Sequence, residues 1–255
     1  MKKLLIFLFV LLVSVAAKDA PSWYYELRVY RLADANDGVR VEAYLEKALL
    51  PFLHRNGIKN VGVFKPMKED TVNTNRIYVL IPYSSFSQFE KTTTALQADA
   101  KTIADGSDYT NSAHTDPPYV RIETTLMRAF KFMPAPAVPN LKSSRQERVY
   151  ELRSYEGATE KLYQSKVHMF NEGGEVKLFN RLNFNAVFYG EVLSGSRMPN
   201  LVYMTSFENR ADRDEHWKAF SASPEWTTLK VLPQYQNTVS RNETIFLTAA
   251  PYSDF

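Results

Sequence analysis

A carboxylate, a guanidinium and a phenol stand at alternate positions twice in this chain, as Glu26, Arg28 and Tyr30 and again as Glu151, Arg153 and Tyr155. They belong to the phrase Tyr25-Glu26-Leu27-Arg28-Val29-Tyr30, which returns as Tyr150-Glu151-Leu152-Arg153-Ser154-Tyr155 with five of six positions identical. In a strand, successive side chains point to opposite faces, so each copy carries all three polar groups on one face. An arginine there can hold a carboxylate or phenolate through two parallel hydrogen bonds. A glutamate whose pKa is raised by burial can serve as a base. The plainer use of the same residues is a set of ion pairs and hydrogen bonds that fixes strand pairing.

The elements that position these groups repeat as well. After the first copy, Asp34 to Gly38 reads as a turn, with Asn36 or Asp37 as helix cap. Val41, Tyr44, Leu45, Ala48, Leu49 and Phe52 form a helical stripe. Pro51 is expected to kink that helix or start a new turn, and Asn56-Gly57 ends it, with Gly57 suited to the left-handed conformation. Strands are expected at Val61 to Phe64 and Ile77 to Ile81, a helix capped by Ser84 or Ser85, and a fourth strand over Tyr119 to Phe130. The second copy is followed by the same order: a helix from Thr159 interrupted at Gly173-Gly174, strands at Ala186 to Val192 and Leu201 to Thr205, a helix over Asn209 to Phe220, a short helical piece at Ser223 to Trp226, and a last strand over Arg241 to Leu247. Asn183 takes the place of Gly57, because asparagine tolerates the left-handed conformation. Pro134, Pro136 and Pro139 make residues 131–148 a semi-extended linker.

Composition sets bounds. The 255 residues are 45% hydrophobic, with 16 Phe, 15 Tyr and 3 Trp, enough for substantial cores. There is no cysteine, which excludes disulfides, thiolate catalysis, zinc-thiolate sites and iron–sulfur clusters. Lys2 and Lys3, the apolar run from Leu4 and the small residues Val15-Ala16-Ala17 read as a secretory signal cleaved after Ala17. The apolar run is short for a membrane span. Cleavage takes two lysines from the 31 basic residues, leaving 29 against 28 acidic ones, a formal charge of +1. With no clustered basic patch, a nucleic-acid partner is not expected, nor a membrane once the signal is gone. The expected organisation is a signal peptide over 1–17, a first domain over 22–130, the linker, and a second domain over 149–250, in an exported, periplasmic or secreted protein.

Strand, helix, strand, strand, helix, strand is the ferredoxin-like order. Each copy gives a four-stranded antiparallel sheet with helices on one face, and the bare faces are expected to cover one another in a closed or nearly closed barrel. The second repeat resembles NIPSNAP domains through Tyr150 to Tyr155, Phe188-Tyr189-Gly190-Glu191, Met198 to Met204, Ser206 to Arg210 with Arg213 and Trp217, and Pro224-Glu225-Trp226. The first repeat resembles them mainly through Tyr25-Glu26-Leu27-Arg28. The resemblance implies an α+β fold in which two tandem repeats form an intramolecular assembly of the dimeric α/β-barrel type. It brings no established catalytic residues. The chain departs from mitochondrial members in its secretory signal, so their proposed roles in vesicle traffic or mitochondrial quality control do not carry over.

The expectation for the site is that helices cover the Leu27, Val29 and Leu152 face. Glu26, Arg28, Tyr30, Glu151, Arg153 and Tyr155 would then line the barrel interior, with Glu123 and Glu243 adding carboxylates. None of His54, His114, His168 and His216 forms a metal pair at helical or strand spacing. Haem-binding members of the same superfamily use a helical histidine on iron, which makes His168, beside the glycine pair, the candidate for that role and for the ligand site. No metal or cofactor is otherwise expected, and Gly173-Gly174 lacks a nucleotide pattern. The leading functional reading is an exported small-molecule-binding or scaffold barrel, taking a small organic ligand and open to self-association. The alternative is an enzyme of the same superfamily, of the monooxygenase, isomerase or haem-dependent kind.

Overall fold

The computed structural model describes residues 22–255; the expected secretory signal over 1–17 lies outside them. The first repeat runs β1 (Tyr24–Arg31), α1 (Ala35–Tyr44), a π-helical turn (Leu45–Leu49), α2 (Leu50–Arg55), β2 (Gly62–Pro66), β3 (Arg76–Tyr83), α3 (Phe86–Ala98), the short α4 (Ala100–Asp105) and α5 (Ser107–Thr110), and β4 (Arg121–Ala129). The second runs β5 (Val149–Glu156), α6 (Glu160–Phe170), α7 (Glu175–Arg181), β6 (Ala186–Ser194), β7 (Asn200–Phe207), α8 (Arg210–Ala222), α9 (Pro224–Leu229) and β8 (Arg241–Ala249). Among the described residues no helix is long and apolar enough to cross a membrane.

Local chemistry accounts for most boundaries. Asp34, two to three residues before the expected cap at Asn36 or Asp37, accepts from the amides of Asn36 and Asp37 and starts α1. Pro51 has no amide hydrogen to give back along the helix, and the turn before it widens so that the Leu50 amide reaches the Leu45 carbonyl. Gly57 and Asn183 both adopt the left-handed conformation, at φ 76° and 55°. Ser85, Thr159 and Asn209 each cap the helix that follows through a side-chain oxygen. The pieces α4 and α5 have no counterpart in the sequence reading.

Eight antiparallel strands close into a barrel in the order β1-β3-β2-β8-β5-β7-β6-β4. Each repeat contributes a four-stranded sheet with its phrase on an inner strand, β1 between β3 and β4 and β5 between β7 and β8. The sheets join through β2 with β8 and β4 with β6, so no strand edge is left open. One apolar cluster fills the barrel, including Tyr25, Leu27, Phe64, Leu80, Met127, Tyr150, Leu152 and Met204. Two further clusters lie outside the sheet beneath the helices of each repeat. Residues 131–148 are pinned along the barrel: Trp23 donates to the Pro134 carbonyl, Ala137 to that of Val187, and the amides of Lys142 and Ser143 to the Glu208 carboxylate.

Candidate functional site

The structure reverses the expected orientation of the repeated phrase. Tyr25, Leu27, Tyr150 and Leu152 belong to the cluster inside the barrel, while Tyr30 and Tyr155 pack with the helix-side clusters. Glu26, Arg28, Tyr30, Glu151, Arg153 and Tyr155 therefore face the helices, not the interior. Both faces of this sheet are covered, so alternation alone does not say which face turns inward. A small barrel must be filled by its own side chains, and tyrosine, leucine and valine fill it without buried charge. The charged face is tolerated outside because the helices bring partners to it.

Those partners are most complete in the second repeat. Glu151 is fully buried. Its Oε1 accepts from Arg153 at 2.7 Å and from Arg213 at 2.7 Å, and its Oε2 accepts from Arg213 at 2.9 Å and from the Trp217 indole at 2.7 Å. Burial alone would raise the Glu151 pKa, but Arg213, Arg153 and Trp217 outweigh it and hold the carboxyl below its usual range. The Arg153 guanidinium lies 4.5 Å from the Trp217 ring centre. Both carboxylate oxygens are thus engaged by cations, and a group held so firmly ionised is poorly suited to take up a proton. In the first repeat Glu26 accepts from Arg28 at 2.9 and 2.8 Å and from the Tyr83 hydroxyl at 3.0 Å. Tyr30 packs edge-on to Tyr109 and Tyr119.

A second buried ion pair was not anticipated. Lys166 on α6 donates to Glu175 at the start of α7 at 2.9 Å. Its ammonium is surrounded by Tyr155, Phe170 and Trp226 at 5.5, 4.7 and 5.7 Å from the ring centres. Tyr155 in turn pairs with the Tyr203 hydroxyl at 2.9 Å. Lys166 is buried on α6 with Met169 and Phe170; the sequence offers only the weak signal of a lysine three and four residues before these apolar positions.

His168 stands apart from the phrase. Its Nδ1 meets the Tyr235 hydroxyl at 2.8 Å, in a shallow surface groove lined by Lys161, Gln164, Ser165 and Gln234. A haem needs an apolar slot against its axial histidine. These polar surroundings do not fit one. Among the described residues no group of three or more His, Asp or Glu side chains is gathered to hold a metal ion.

The barrel's two ends differ. At one end Phe255 is buried and packs on Phe64 and Tyr150, with ring centres at 5.7 and 6.3 Å. At the other, a cavity of about 60 Å³ opens among the inward-facing residues. Its floor is Leu27, Val29, Leu152, Val202 and Ile245. Its rim is polar: Arg76 and Tyr78 from β3, Glu123 and Thr125 from β4, Ser154 from β5, Asn200 from β7, Glu243 from β8, and Arg197 from the β6–β7 hairpin. The expected carboxylates Glu123 and Glu243 do reach the barrel interior, at this mouth. Arg197 pairs with Glu243 at 2.7 Å and with Glu156 at 3.4 Å, Arg31 pairs with Glu123 at 3.0 Å, and Ser154 and Asn200 bond each other. The Tyr78 side chain is buried, and its hydroxyl makes no hydrogen bond of good geometry, with the Arg76 guanidinium its near neighbour. Burial pushes its pKa up to about 12, with nearby Arg76 offsetting part of that rise. A wider groove of about 730 Å³ runs between α1 and the β2–β3 connection, and Arg76 lies on the wall between the two.

Residues 150–254 match the family model described as NIPSNAP. No curated protein matches the chain. Among solved structures, the fold is similar to two bacterial proteins provisionally named as monooxygenases. The one from Lactobacillus acidophilus NCFM has a TM-score of 0.57 at 9% identity, over 89% of this chain and 94% of that one. The one from Fusobacterium nucleatum has a TM-score of 0.58 at 6% identity, over 89% and 92%. An anthrone oxidase-like protein matches with a TM-score of 0.50 at 9% identity, over 90% and 92%. These likenesses show an α+β fold of the ferredoxin-like, dimeric α/β-barrel type.

Proposed function

We propose that this protein is a small-molecule-binding barrel whose ligand enters at the open mouth. The observation that carries this reading is the mouth itself: an apolar floor beneath a polar rim, with the buried Tyr78 hydroxyl left without a hydrogen bond of good geometry. A buried polar atom without a partner carries a free-energy penalty that a ligand oxygen can relieve. At about 60 Å³ the cavity is far below the volume of a drug-sized pocket. It admits a molecule of a few heavy atoms, or one small end of a longer one. The basic, apolar and small-residue pattern of the first 17 residues supports export of the protein ahead of that task.

The alternative, an enzyme of the same superfamily, draws on the fold shared with the two provisionally named monooxygenases, and a fold shared at 9% identity carries no reaction. The buried glutamate of the second repeat is saturated with cationic partners, which argues against proton-transfer chemistry at that face.

Thermal unfolding of the purified protein against a library of small organic acids, amines and alcohols tests the reading, since a ligand of the native state raises Tm. At least one compound is expected to raise Tm, and Thr125→Phe, which narrows the mouth, is expected to abolish the rise while circular dichroism stays native. A library without effect, or an effect that Thr125→Phe leaves intact, would overturn the reading. Oxygen uptake that depends on the active compound would favour the enzyme instead.

A further inference from the structure

The rim of the mouth is unevenly paired. Of its four charged side chains, Arg197 and Glu243 are joined to each other, and Glu123 is joined to Arg31. Arg76 forms no close ion pair with a described carboxylate, although it is only partly exposed; its near neighbours are the Tyr78 hydroxyl and, at longer range, Asp70. The carboxylate nearest to it in sequence, Asp70, is engaged by the amides of Val72 and Asn73 and by the Asn73 side chain at 2.8–2.9 Å. Arg76 shares the inward parity of Tyr78 and Leu80 on β3, and it stands close enough to the Tyr78 hydroxyl to influence its ionisation.

We propose that the mouth binds the carboxylate of a small monocarboxylic acid, with Arg76 as its ion partner and the Tyr78 hydroxyl as a second donor. The inference rests on the binding reading above and names its ligand class. A guanidinium matches a carboxylate through two parallel hydrogen bonds and repels an ammonium. Tyr78 stays protonated at neutral pH, so it donates to the anion. The floor of Leu27, Val29, Leu152, Val202 and Ile245 takes a short alkyl tail, and the cavity volume limits that tail to a few carbons. The paired charges of Arg197 and Glu123 leave the rim otherwise balanced, so a single negative charge suits it better than a dianion.

Ligand-observed NMR titration of the full chain with propionate, propionamide and propylammonium tests this. The three share a short alkyl chain and differ in charge. Propionate is expected to bind at least about ten-fold more tightly than the other two, in line with the strength of charge-assisted hydrogen bonds. Arg76→Gln is expected to weaken propionate by about ten-fold and to leave propionamide unchanged. Tyr78→Phe is expected to weaken propionate by less, about three-fold, which a site in the neighbouring α1 groove would not show. Should Arg76→Gln fold poorly, Arg76→Lys, which keeps the charge but not the planar fork, is expected to retain part of the affinity. Propionamide or propylammonium binding as tightly as propionate, with the Thr125→Phe block still effective, would overturn the anion assignment while leaving the binding barrel standing. A mouth that takes none of these compounds nor any member of the wider library would overturn both.

Discussion

The two repeats carry the same phrase on the same inner strand and satisfy it by different means. In the first, β3 ends in Tyr83, whose hydroxyl donates to Glu26. In the second, the corresponding last residue of β7 is Phe207, which cannot donate, and α8 supplies Arg213 and Trp217 to Glu151 instead. Counted from the helix caps Ser85 and Asn209, those two positions are Phe89 and Thr93 in the first repeat. The Lys166–Glu175 pair shows the same divergence. Counted from the caps Asp34 and Thr159, Lys166 corresponds to Val41. Counted back from the left-handed Gly57 and Asn183, Glu175 corresponds to Leu49. Both Val41 and Leu49 are buried in the first repeat. One backbone plan thus accommodates either an apolar or an ionic helix layer, provided that every buried charge is matched. The family model matches the repeat with the ionic layer, residues 150–254.

This contrast can be broken by mutation. The largest effect is expected from Glu151→Ala, which removes a fully buried carboxylate engaged by two arginines and an indole, leaving Arg153 without a counter-charge and Arg213 with only the exposed Asp214; urea unfolding should show a loss of about 3–5 kcal/mol. A loss below that of Glu26→Ala would refute the ranking of the two repeats. Lys166→Val alone is expected to cost about 3 kcal/mol, because Glu175 is then buried unpaired. The double variant Lys166→Val/Glu175→Leu, which copies the first repeat, should recover most of that loss; a double variant as unstable as the single would show that the layers are not interchangeable.

Glu26→Ala should cost about 1–3 kcal/mol in the same assay, since it strands one arginine and one phenol where Glu151→Ala strands two arginines and an indole. The pH dependence sharpens the comparison. The Glu151 pKa is depressed in the folded state, so its contribution is fully present above the unfolded value of about 4.3 and is lost as pH falls through the lower folded value. The stability gap between the wild type and Glu151→Gln should therefore narrow only at acid pH, and a gap that widens there would reverse the sign of the argument. The smallest effect is expected at the paired turn positions. Gly57→Ala should cost about 1 kcal/mol for placing a Cβ at positive φ, whereas Gly57→Asn, the residue that the second repeat uses, should cost clearly less in the same unfolding curves.

Much of the fold was legible in the sequence, because a repeat reports its own element order. The ferredoxin-like order, a cap at Ser84 or Ser85, a helix start at Thr159, the stops at Gly57 and Asn183 and a closed or nearly closed barrel all follow from local chemistry and from the need to cover a bare sheet face. The inside and outside of the barrel were not legible. Glu-x-Arg-x-Tyr shows a polar face but not its direction, and Ile77, Val79 and Ile81 on the neighbouring strand make the helix-side face of β3 as apolar as its inner one. The Lys166–Glu175 pair was missed because its members lie nine residues apart on two helices, across a turn that no short-range spacing rule describes. Glu123 and Glu243 were placed toward the interior, where the mouth now holds them, but nothing in the sequence distinguished Arg76, whose importance lies in lacking a close ion pair.

On the binding reading, ligands meet the open mouth and not the helix-covered Glu-Arg-Tyr face. Amide shift mapping of the ¹⁵N-labelled chain during a propionate titration tests it most directly, because both places carry reporters. Saturable shifts are expected at Val29, Arg76, Thr125, Ser154 and Ile245, with the Trp217 indole resonance unmoved. Saturable movement of the Trp217 indole and of Glu151, with the mouth residues silent, would contradict it.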